Sequence, residues 1–462
     1  MFQFNRKVLT LIAIFLGIFL LAGYFSLNSL EQYSFFGEIN SSDRILIFSP
    51  HPDDESLGTG GLIKRAVERN ATVLVVEMTN GDIMSTDQFK SYLHKINKRN
   101  YTGNIGDFRQ NESINAIRAL GLDQDDIIFL GYPDGGLKPL FEDYWDNNTL
   151  FHMNTGSNQF NSSPYTVTYE SNAPYCGANV EMNVEQIIED FKPNMIFYPD
   201  DLDYHPDHYA TNAFVRYAMI DTDYQGESYT YLVHHKDWPR GICFPGTRYL
   251  VPDDITTSDA QWLVNKLNNS ELGAKDNAIY SYNSQMGDMR ILLTSFIKKN
   301  EIYTHYPLIE IEKVNGIESI RHQMPSSSYT KKDNNTHNGI LTVPYVTLTA
   351  GIAYDDNYLY LLSKSDKQNF QYDFHLKLYN GHTFNRIDVK VINNQAEYES
   401  VSNNSIKSDK NLTVYTDNGI VIVALPINLF NDTKSILMNT DLINPLNKSE
   451  TYHTSWRIFK LR

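Results

Sequence analysis

The sequence predicts an α/β fold: a Rossmann-like, mostly parallel sheet with helices on both faces, followed by a C-terminal all-β, sandwich-like domain and preceded by an N-terminal transmembrane helix. Three observations support this prediction. Continuous apolar runs alternate with helical patterns over residues 43–310, short runs of β character fill residues 336–462, and residues 1–30 hold a long uncharged apolar run. A chain of 462 residues suits more than one domain, since a domain takes roughly 100–200 residues.

The strands predicted within residues 43–310 are continuous apolar runs, which are typical of a parallel sheet buried on both faces. The predicted strands are 44–49, 72–79, 126–131 and 194–199, and the predicted helices are 56–70, 108–121, 180–193, about 258–270 and about 288–300. Gly121 and Pro193 are residues that typically end helices. The first strand is not followed by a G-x-G-x-x-G phosphate turn.

The C-terminal part of the chain has a different sequence pattern, with a polar segment followed by short runs of β character. The segment PSSSYTKKDNNTHNG, residues 325–339, is polar and predicts a linker or a long loop. Beyond it, Asn380-Gly381 and Asn418-Gly419 each separate two runs of alternating hydrophobicity. Asn-Gly between such runs is a strong hairpin signal, so we expect antiparallel strands.

The N-terminal apolar run predicts a membrane anchor. Residues 8–27 carry no charge and follow Arg6 and Lys7. About 20 apolar residues span a bilayer as a helix, and flanking basic residues stay on the cytoplasmic side. We therefore expect a single-pass membrane protein with the rest of the chain outside the cytoplasm. A cleaved signal peptide is the alternative.

Composition limits the partners. The formal net charge of −16 argues against nucleic acid, which is bound through clustered Lys and Arg. Sequons such as Asn111, Asn147 and Asn403 would make an exported chain a glycoprotein, although an Asn-rich sequence also produces sequons by chance. Cys176 and Cys243 either form one disulfide or remain two buried thiols. Neither belongs to a C-x-x-C pattern, which argues against a cysteine-based zinc site.

Two clusters of His and Asp follow predicted strands. PHPDDE follows the first strand, and DDLDYHPDH follows strand 194–199. The carboxyl ends of parallel strands meet at one edge of a sheet, where ligands bind. His51 and Asp54 lie three apart at the start of a helix, and His208 can reach them from the second loop. Catalytic zinc takes three such ligands, and a cation also neutralises the repelling carboxylates.

The remaining side chains of the two motifs suit hydrolysis of an amide. Asp53 can take a proton from a water whose pKa the cation lowers. His205 can stabilise an oxyanion or protonate a leaving nitrogen, and Asp207 can orient one of the histidines.

PHPDDE with a later HPDH resembles the PIG-L/LmbE family of zinc-dependent de-N-acetylases over roughly residues 43–305. RQNESINAIRALG, FLGYPDGGL, NSQMGDM and FIKKNEIY resemble weaker family features. The resemblance implies removal of the N-acetyl group from an N-acetylglucosamine-type glycan or glycolipid. It implies Zn²⁺, or another divalent transition metal, as cofactor. It also implies roles for six residues: His51, Asp54 and His208 as metal ligands, Asp53 as general base, His205 as oxyanion or acid group and Asp207 in support.

Four further residues are candidates for substrate binding: Arg109, Asp134, Tyr204 and His235. Each has an ordinary structural alternative. Arg109 and Glu112 can equally form an exposed pair on one helix, and Asp134 is a common turn residue. Two alternative functions stay open: a surface glycan-binding or scaffold protein with a vestigial site, and a zinc amidase or esterase with another substrate.

Overall fold

The computed structural model of the chain describes Gly17 and residues 33–83, 86–95, 103–155, 158–200, 202–235, 238–239, 249–250, 261–287, 289–306, 309–320, 331–332, 348–367, 369–381, 384–402, 405–448, 450–454 and 456–460. The predicted anchor (except Gly17), the linker 325–339 (except 331–332) and Cys243 lie outside these residues. Among the helices described, none is both long enough and apolar enough to cross a membrane.

An eight-stranded sheet forms the centre of the N-terminal domain and confirms the predicted parallel-rich α/β class. In spatial order its strands are β1-β9-β10-β8-β7-β2-β3-β4, and β5 pairs with β6 in a separate hairpin. Within the eight-stranded sheet, as far as the structure describes it, only the pairings of β10 are antiparallel. The strands are β1 (Ser34–Phe35), β2 (Arg44–Ser49), β3 (Thr72–Thr79), β4 (Ile127–Tyr132), β5 (Met153–Thr155), β6 (Asn158–Phe160), β7 (Met195–Pro199), β8 (Glu227–Tyr231), β9 (Gln261–Lys266) and β10 (Asn300–His305).

Helices cover both faces of this sheet. The helices are α1 (Asp54–Glu68), α2 (Thr86–Lys95), α3 (Ile105–Leu120), α4 (Leu137–Glu142), α5 (Gly177–Phe191), α6 (Pro206–Asp221), α7 (Asn269–Ile279) and α8 (Arg290–Ser295). Side chains of a strand alternate between faces, so Ile45 and Ile47 of β2 join one apolar core while Leu46 and Phe48 join the other. The first core includes α1, α3 and α7, and the second includes α5 and α6.

The predictions of helices at 258–270 and 288–300 are wrong in part. Residues Gln261–Lys266 form β9, and helix α7 begins only at Asn269, where Asn268 caps it. Helix α8 ends at Ser295, and Asn300–His305 continues as strand β10. The short apolar centre of β9 fits either structure in isolation, and its antiparallel pairing with β10 selects the strand.

The C-terminal residues form a 13-stranded sheet, which confirms an all-β domain. Its two halves contribute side chains to one apolar core. Asn418 and Gly419 both have positive φ, 46° and 79°, as expected for a two-residue hairpin turn. The strands are Ile309–Glu310, Glu312–Lys313, Lys331–Lys332, Leu348–Tyr354, Tyr358–Ser365, Gln371–Tyr379, Phe384–Ile392, Gln395–Ser402, Ser405–Asp417, Ile420–Pro426, Ser435–Ile443, Thr451–His453 and Arg457–Lys460, and a short helix covers Ile317–Ile320.

The β domain packs directly against helix α6. Trp456 of the β domain joins the second apolar core of the α/β domain, with its ring 5.1 Å from that of Phe141. Asn439 Nδ2 donates to the Tyr209 hydroxyl at 3.0 Å, and the Tyr379 hydroxyl donates to the carbonyl of Asp221 at 3.1 Å. The contacts therefore run from the first turn of α6 to its last residue.

Candidate active site

The first motif occupies the turn between β2 and α1. Two hydroxyls hold this turn: Ser49 Oγ donates to the carbonyl of His51, and Thr79 Oγ1 donates to the carbonyl of Pro50, each at 2.8 Å. Asp53 has φ of 119°, a conformation that L residues rarely adopt. Such strain persists only where surrounding contacts enforce it, and it clusters at functional sites.

His51, Asp54 and His208 meet at one carboxylate oxygen. Asp54 Oδ2 lies 3.2 Å from His51 Nδ1 and 3.0 Å from His208 Nε2. All three side chains are buried. The residues come from the carboxyl ends of β2 and β7, which are neighbours in the sheet.

These atoms suit a divalent cation. Two ligands at about 2.1 Å from a tetrahedral zinc are separated by about 3.4 Å, close to the separations of 3.2 and 3.0 Å found around Asp54 Oδ2. The other oxygen, Asp54 Oδ1, is buried and makes no hydrogen bond with any described residue. A buried carboxylate oxygen without a donor is costly, and a cation would satisfy it. Candidate ligand atoms within 4.8 Å of one another also occur in three overlapping sets: His51 with His205 and His208, Asp54 with His208 and His234, and His51 with Asp134 and Asp207.

The charges of these groups are strongly coupled. Burial opposes ionisation of Asp54, but the adjacent imidazoles of His208 and His51 outweigh it and hold the pKa of Asp54 well below its usual range. Burial likewise opposes a charged His208, yet the carboxylates of Asp203 and Asp54 raise its pKa to about 9. The carboxylates therefore favour positive charge at this position, which a bound cation would supply in place of the imidazole protons.

Asp203 links the second motif to the segment after β8. It was not among the site residues predicted from the sequence. Its Oδ2 lies 2.9 Å from His208 Nδ1 and accepts from the backbone N–H groups of Val233 (3.0 Å) and His234 (2.9 Å). Its Oδ1 accepts from the N–H of His205 at 3.0 Å. With Nδ1 of His208 directed at Asp203, Nε2 faces Asp54. The only signal in the sequence is the position of Asp203 two residues before HPDH.

The carboxylate of Asp207 contacts His51 rather than His205. Its Oδ2 lies 3.1 Å from His51 Nε2, and its carboxylate accepts from the N–H groups of Gly135 (2.6 Å) and Leu137 (3.0 Å). Asp134 contacts the same histidine, with Oδ1 3.3 Å from His51 Nε2. The segment FLGYPDGGL thus reaches the site through backbone donors and one carboxylate.

His205 is held as a neutral imidazole. The backbone N–H of Asp207 donates to His205 Nδ1 at 3.2 Å, which leaves the ring proton on Nε2. Burial and the neighbouring imidazoles of His51, His208 and His234 lower the pKa of His205 well below its usual value. His205 can therefore donate a hydrogen bond without carrying a charge.

Arg109 contacts the first motif and is buried, so the alternative of an exposed helix pair with Glu112 is wrong. Its Nη2 lies 3.3 Å from Asp53 Oδ2 and donates to the carbonyl of Pro52 at 2.5 Å, and its Nη1 donates to the carbonyl of Gly81 at 2.8 Å. Gly81 has φ of 60°, and a Cβ there would lie 1.8 Å from Arg109 Nη1. Glu112 is also buried and accepts from Ser284 N at 2.8 Å and Ser284 Oγ at 2.5 Å.

Tyr204 and His235 lie beside the site. Tyr204 is 41% exposed, its ring lies 4.5 Å from that of His235, and its N–H donates to the carbonyl of His234. His235 is buried with Nδ1 3.1 Å from the carbonyl of Leu202. His234, which the sequence analysis did not select, has its ring 4.8 Å from the ring of His208. In the sequence, two adjacent histidines after a predicted strand point to this segment. They do not indicate whether His234 or His235 is the one beside His208.

Comparisons with known proteins agree with the motif. Residues 46–219 match the family model of the GlcNAc-PI de-N-acetylases (PIG-L). A glucosamine-6-phosphate deaminase-like protein of Bacteroides thetaiotaomicron is 28% identical over 262 residues, 53% of this chain and 36% of the relative. A 1D-myo-inositol 2-acetamido-2-deoxy-alpha-D-glucopyranoside deacetylase of a Mycobacterium species is 26% identical over 198 residues, 42% of this chain and 55% of the relative. The chain thus spans about half, or less, of the length of these relatives.

Among solved structures, the A40926 pseudoaglycone deacetylase is similar with a TM-score of 0.37 and 16% identity, over 57% of this chain and 96% of that one. The N,N'-diacetylchitobiose deacetylase of Pyrococcus horikoshii is similar with a TM-score of 0.32 and 20% identity, over 54% of this chain and 72% of that one.

Proposed function

We propose that the chain, whose residues 46–219 match the family model of the GlcNAc-PI de-N-acetylases, hydrolyses the N-acetyl group of an N-acetylated amino sugar, releasing acetate and a free amine. One observation carries the proposal: His51 and His208 both lie within 3.2 Å of Asp54 Oδ2, with Asp53 adjacent in the chain. The proposal covers the activity of the whole chain, of which the family match spans only a part.

His51, Asp54 and His208 would hold Zn²⁺ or another divalent transition metal that binds imidazole and carboxylate. When bound, the cation lowers the pKa of a water molecule and polarises the acetamide carbonyl. Asp203 and Asp207 keep the rings of His208 and His51 in position through their second nitrogens, as carboxylates commonly do for metal-binding histidines.

Asp53 would act as the general base. Burial raises the pKa of its carboxyl well above the usual value, and the adjacent charge of Asp54 adds to this effect. A raised pKa makes the carboxylate a stronger base than an exposed one. The contact with Arg109 fixes its position. Asp53 takes a proton from the attacking water and returns it to the nitrogen that leaves as the C–N bond breaks.

His205 would stabilise the negative charge that develops on the acetyl oxygen. Because Nδ1 accepts from the N–H of Asp207, Nε2 carries the proton and can donate it in a hydrogen bond. A positioned donor of this kind stabilises an oxyanion without itself changing charge.

The proposed substrate class is an N-acetylglucosamine-type glycan or glycolipid. The similarity to the mycobacterial relative, a deacetylase of an acetamido-sugar linked to inositol, supports this class over other amides and esters. Arg109, Asp134, Tyr204 and His235 remain proposed contacts of the substrate. Residues 8–27 are proposed as a membrane anchor, with the catalytic domain outside the cytoplasm, on their uncharged composition alone.

The test is acetate release from N-acetylhexosamine-containing glycans by the wild type, with and without a chelator, and by Asp53→Asn. We expect the chelator to abolish release and Asp53→Asn to lower it by roughly 10²–10⁴-fold with its zinc content unchanged. Asp125→Asn is the matched control, because Asp125 is exposed and precedes β4 at the opposite edge of the sheet. Full activity of Asp53→Asn would refute the base. A wild type that binds zinc but releases no acetate would favour the glycan-binding alternative.

A further inference from the structure

His234 lies at the same edge of the sheet as the candidate cation site. It follows β8, which is the neighbour of β7 in the sheet. Its backbone is held on both sides by the second motif: its N–H donates to Asp203 Oδ2 at 2.9 Å, and its carbonyl accepts from the N–H of Tyr204 at 2.6 Å. The position of its Cα is therefore coupled to the loop that carries His205 and His208.

The ring of His234 lies among the other imidazoles. Its centroid is 4.8 Å from that of His208 and 5.4 Å from that of His205. With metal–nitrogen distances of about 2.1 Å, two imidazoles on one tetrahedral cation have ring centroids roughly 5 Å apart. Single ligand atoms of Asp54, His208 and His234 all lie within 4.8 Å of one another.

The adjacent histidine has a different environment. His235 directs Nδ1 at the carbonyl of Leu202, 3.1 Å away, and its ring contacts Tyr204. His234 and His235 are both histidines and are adjacent in the chain. Comparing their substitutions therefore distinguishes the loss of a ring at the candidate cation site from the loss of a nearby histidine.

We infer that His234 is a further protein ligand of the cation held at Asp54 and His208. The inference rests on the proposed cation site and adds an imidazole to its donor set. A set richer in nitrogen favours Zn²⁺, Co²⁺ and Ni²⁺ over the oxygen-preferring Mg²⁺, Ca²⁺ and Mn²⁺. His234 thereby determines both the affinity of the site and the class of metal it takes.

The experiment compares His234→Ala with His235→Ala in the full chain. Both variants and the wild type are stripped of metal and titrated with Zn²⁺ against a chromophoric chelator, and then with Co²⁺ while visible absorption is recorded. We expect His234→Ala to bind Zn²⁺ at least about 10-fold more weakly and to change the Co²⁺ spectrum, while His235→Ala matches the wild type. Equal zinc affinity and an unchanged spectrum in His234→Ala would overturn the inference.

Two further measurements separate the possible failures. If metal-free His234→Ala unfolds at a lower temperature than the metal-free wild type, His234→Gln, which preserves a polar side chain of similar length, replaces it in the same titration. Acetate release by the wild type is measured in parallel. If the wild type releases acetate and His234→Ala retains full zinc affinity, only this inference is refuted. If the wild type releases no acetate and His234→Ala binds zinc more weakly, only the proposed function is refuted.

Discussion

Asp203→Asn should weaken zinc binding without removing a zinc ligand. Asp203 accepts hydrogen bonds from the backbone N–H groups of His205, Val233 and His234 at 2.9–3.0 Å, and its Oδ2 also lies 2.9 Å from His208 Nδ1. An asparagine keeps the shape but has one acceptor oxygen, so its NH₂ must face a donor on one side. Loss of such a supporting carboxylate typically costs 10–100-fold in metal affinity, or about 1.4–2.7 kcal/mol.

The assay is a zinc titration of metal-free protein against a competing chelator, with Asp200→Asn as the matched control. Asp200 is as buried as Asp203 and lies in the same loop, but its carboxylate accepts from Leu202 N at 2.9 Å and from the hydroxyl of Thr230. Both variants lose a buried charge, so both should unfold more easily. Only Asp203→Asn should lose zinc affinity. Wild-type affinity in Asp203→Asn, or equal losses in the two variants, would refute the assigned role.

Three other substitutions test separate parts of the structure. Arg109→Lys keeps the charge but not the fork that contacts Asp53, so kcat/KM for acetate release should fall roughly 10–100-fold with zinc content little changed. Trp456→Ala removes a ring that is 4% exposed between the domains and should lower the free energy of unfolding in urea by about 3–5 kcal/mol. Burial disfavours a charged His375, but Asp388 at 2.6 Å outweighs it and raises the pKa of His375 to about 10. This stabilisation is complete below pH 6.5 and is lost as the pH rises to about 10, so the melting temperature of His375→Asn should lie furthest below that of the wild type near pH 6.

Each of these predictions has a control of the same chemistry. Arg118→Lys on the same helix, where Arg118 donates to the exposed side chain of Gln124 at 3.3 Å, should leave kcat/KM unchanged. Leu446→Ala, at a residue 95% exposed, should leave the unfolding free energy unchanged. His152→Asn, also exposed, should not alter the pH profile of melting. Equal effects in a variant and its control would contradict the corresponding prediction.

The parts of the fold predicted correctly are those with local signals. Residues 44–49 and 72–79 are strands to the residue, because continuous apolar runs bounded by turn residues leave few alternatives. Helix α3 ends where Gly121 adopts φ of 100°. Residues 261–266 were predicted incorrectly, because what makes them a strand is their pairing with β10, whose residues lie 34 to 44 positions further along the chain. No local sequence pattern reports such a pairing.

The residues of the candidate site likewise divide into those that the sequence predicted and those that it did not. His51, Asp54 and His208 were chosen because their residue types and their places after strands are visible in the sequence, and the structure brings them together. Asp203 and His234 are of equally suitable types. Asp203 lies in the site because it accepts from backbone N–H groups of the segment after β8, and His234 because its ring lies beside that of His208. Both contacts join two loops, and they form because β7 and β8 are neighbours in the sheet.

The β domain takes part in holding the second motif in place. A spacer would not share an apolar core with the other domain, yet Leu437 and Trp456 lie in the core that packs α5 and α6. Tyr209, which receives a hydrogen bond from Asn439, is the residue directly after His208. Because a helix moves as a rigid unit over a turn, a shift of the β domain against α6 would displace His208 relative to Asp54. The β domain therefore supports the geometry of the candidate cation site from outside the segment that matches the family model.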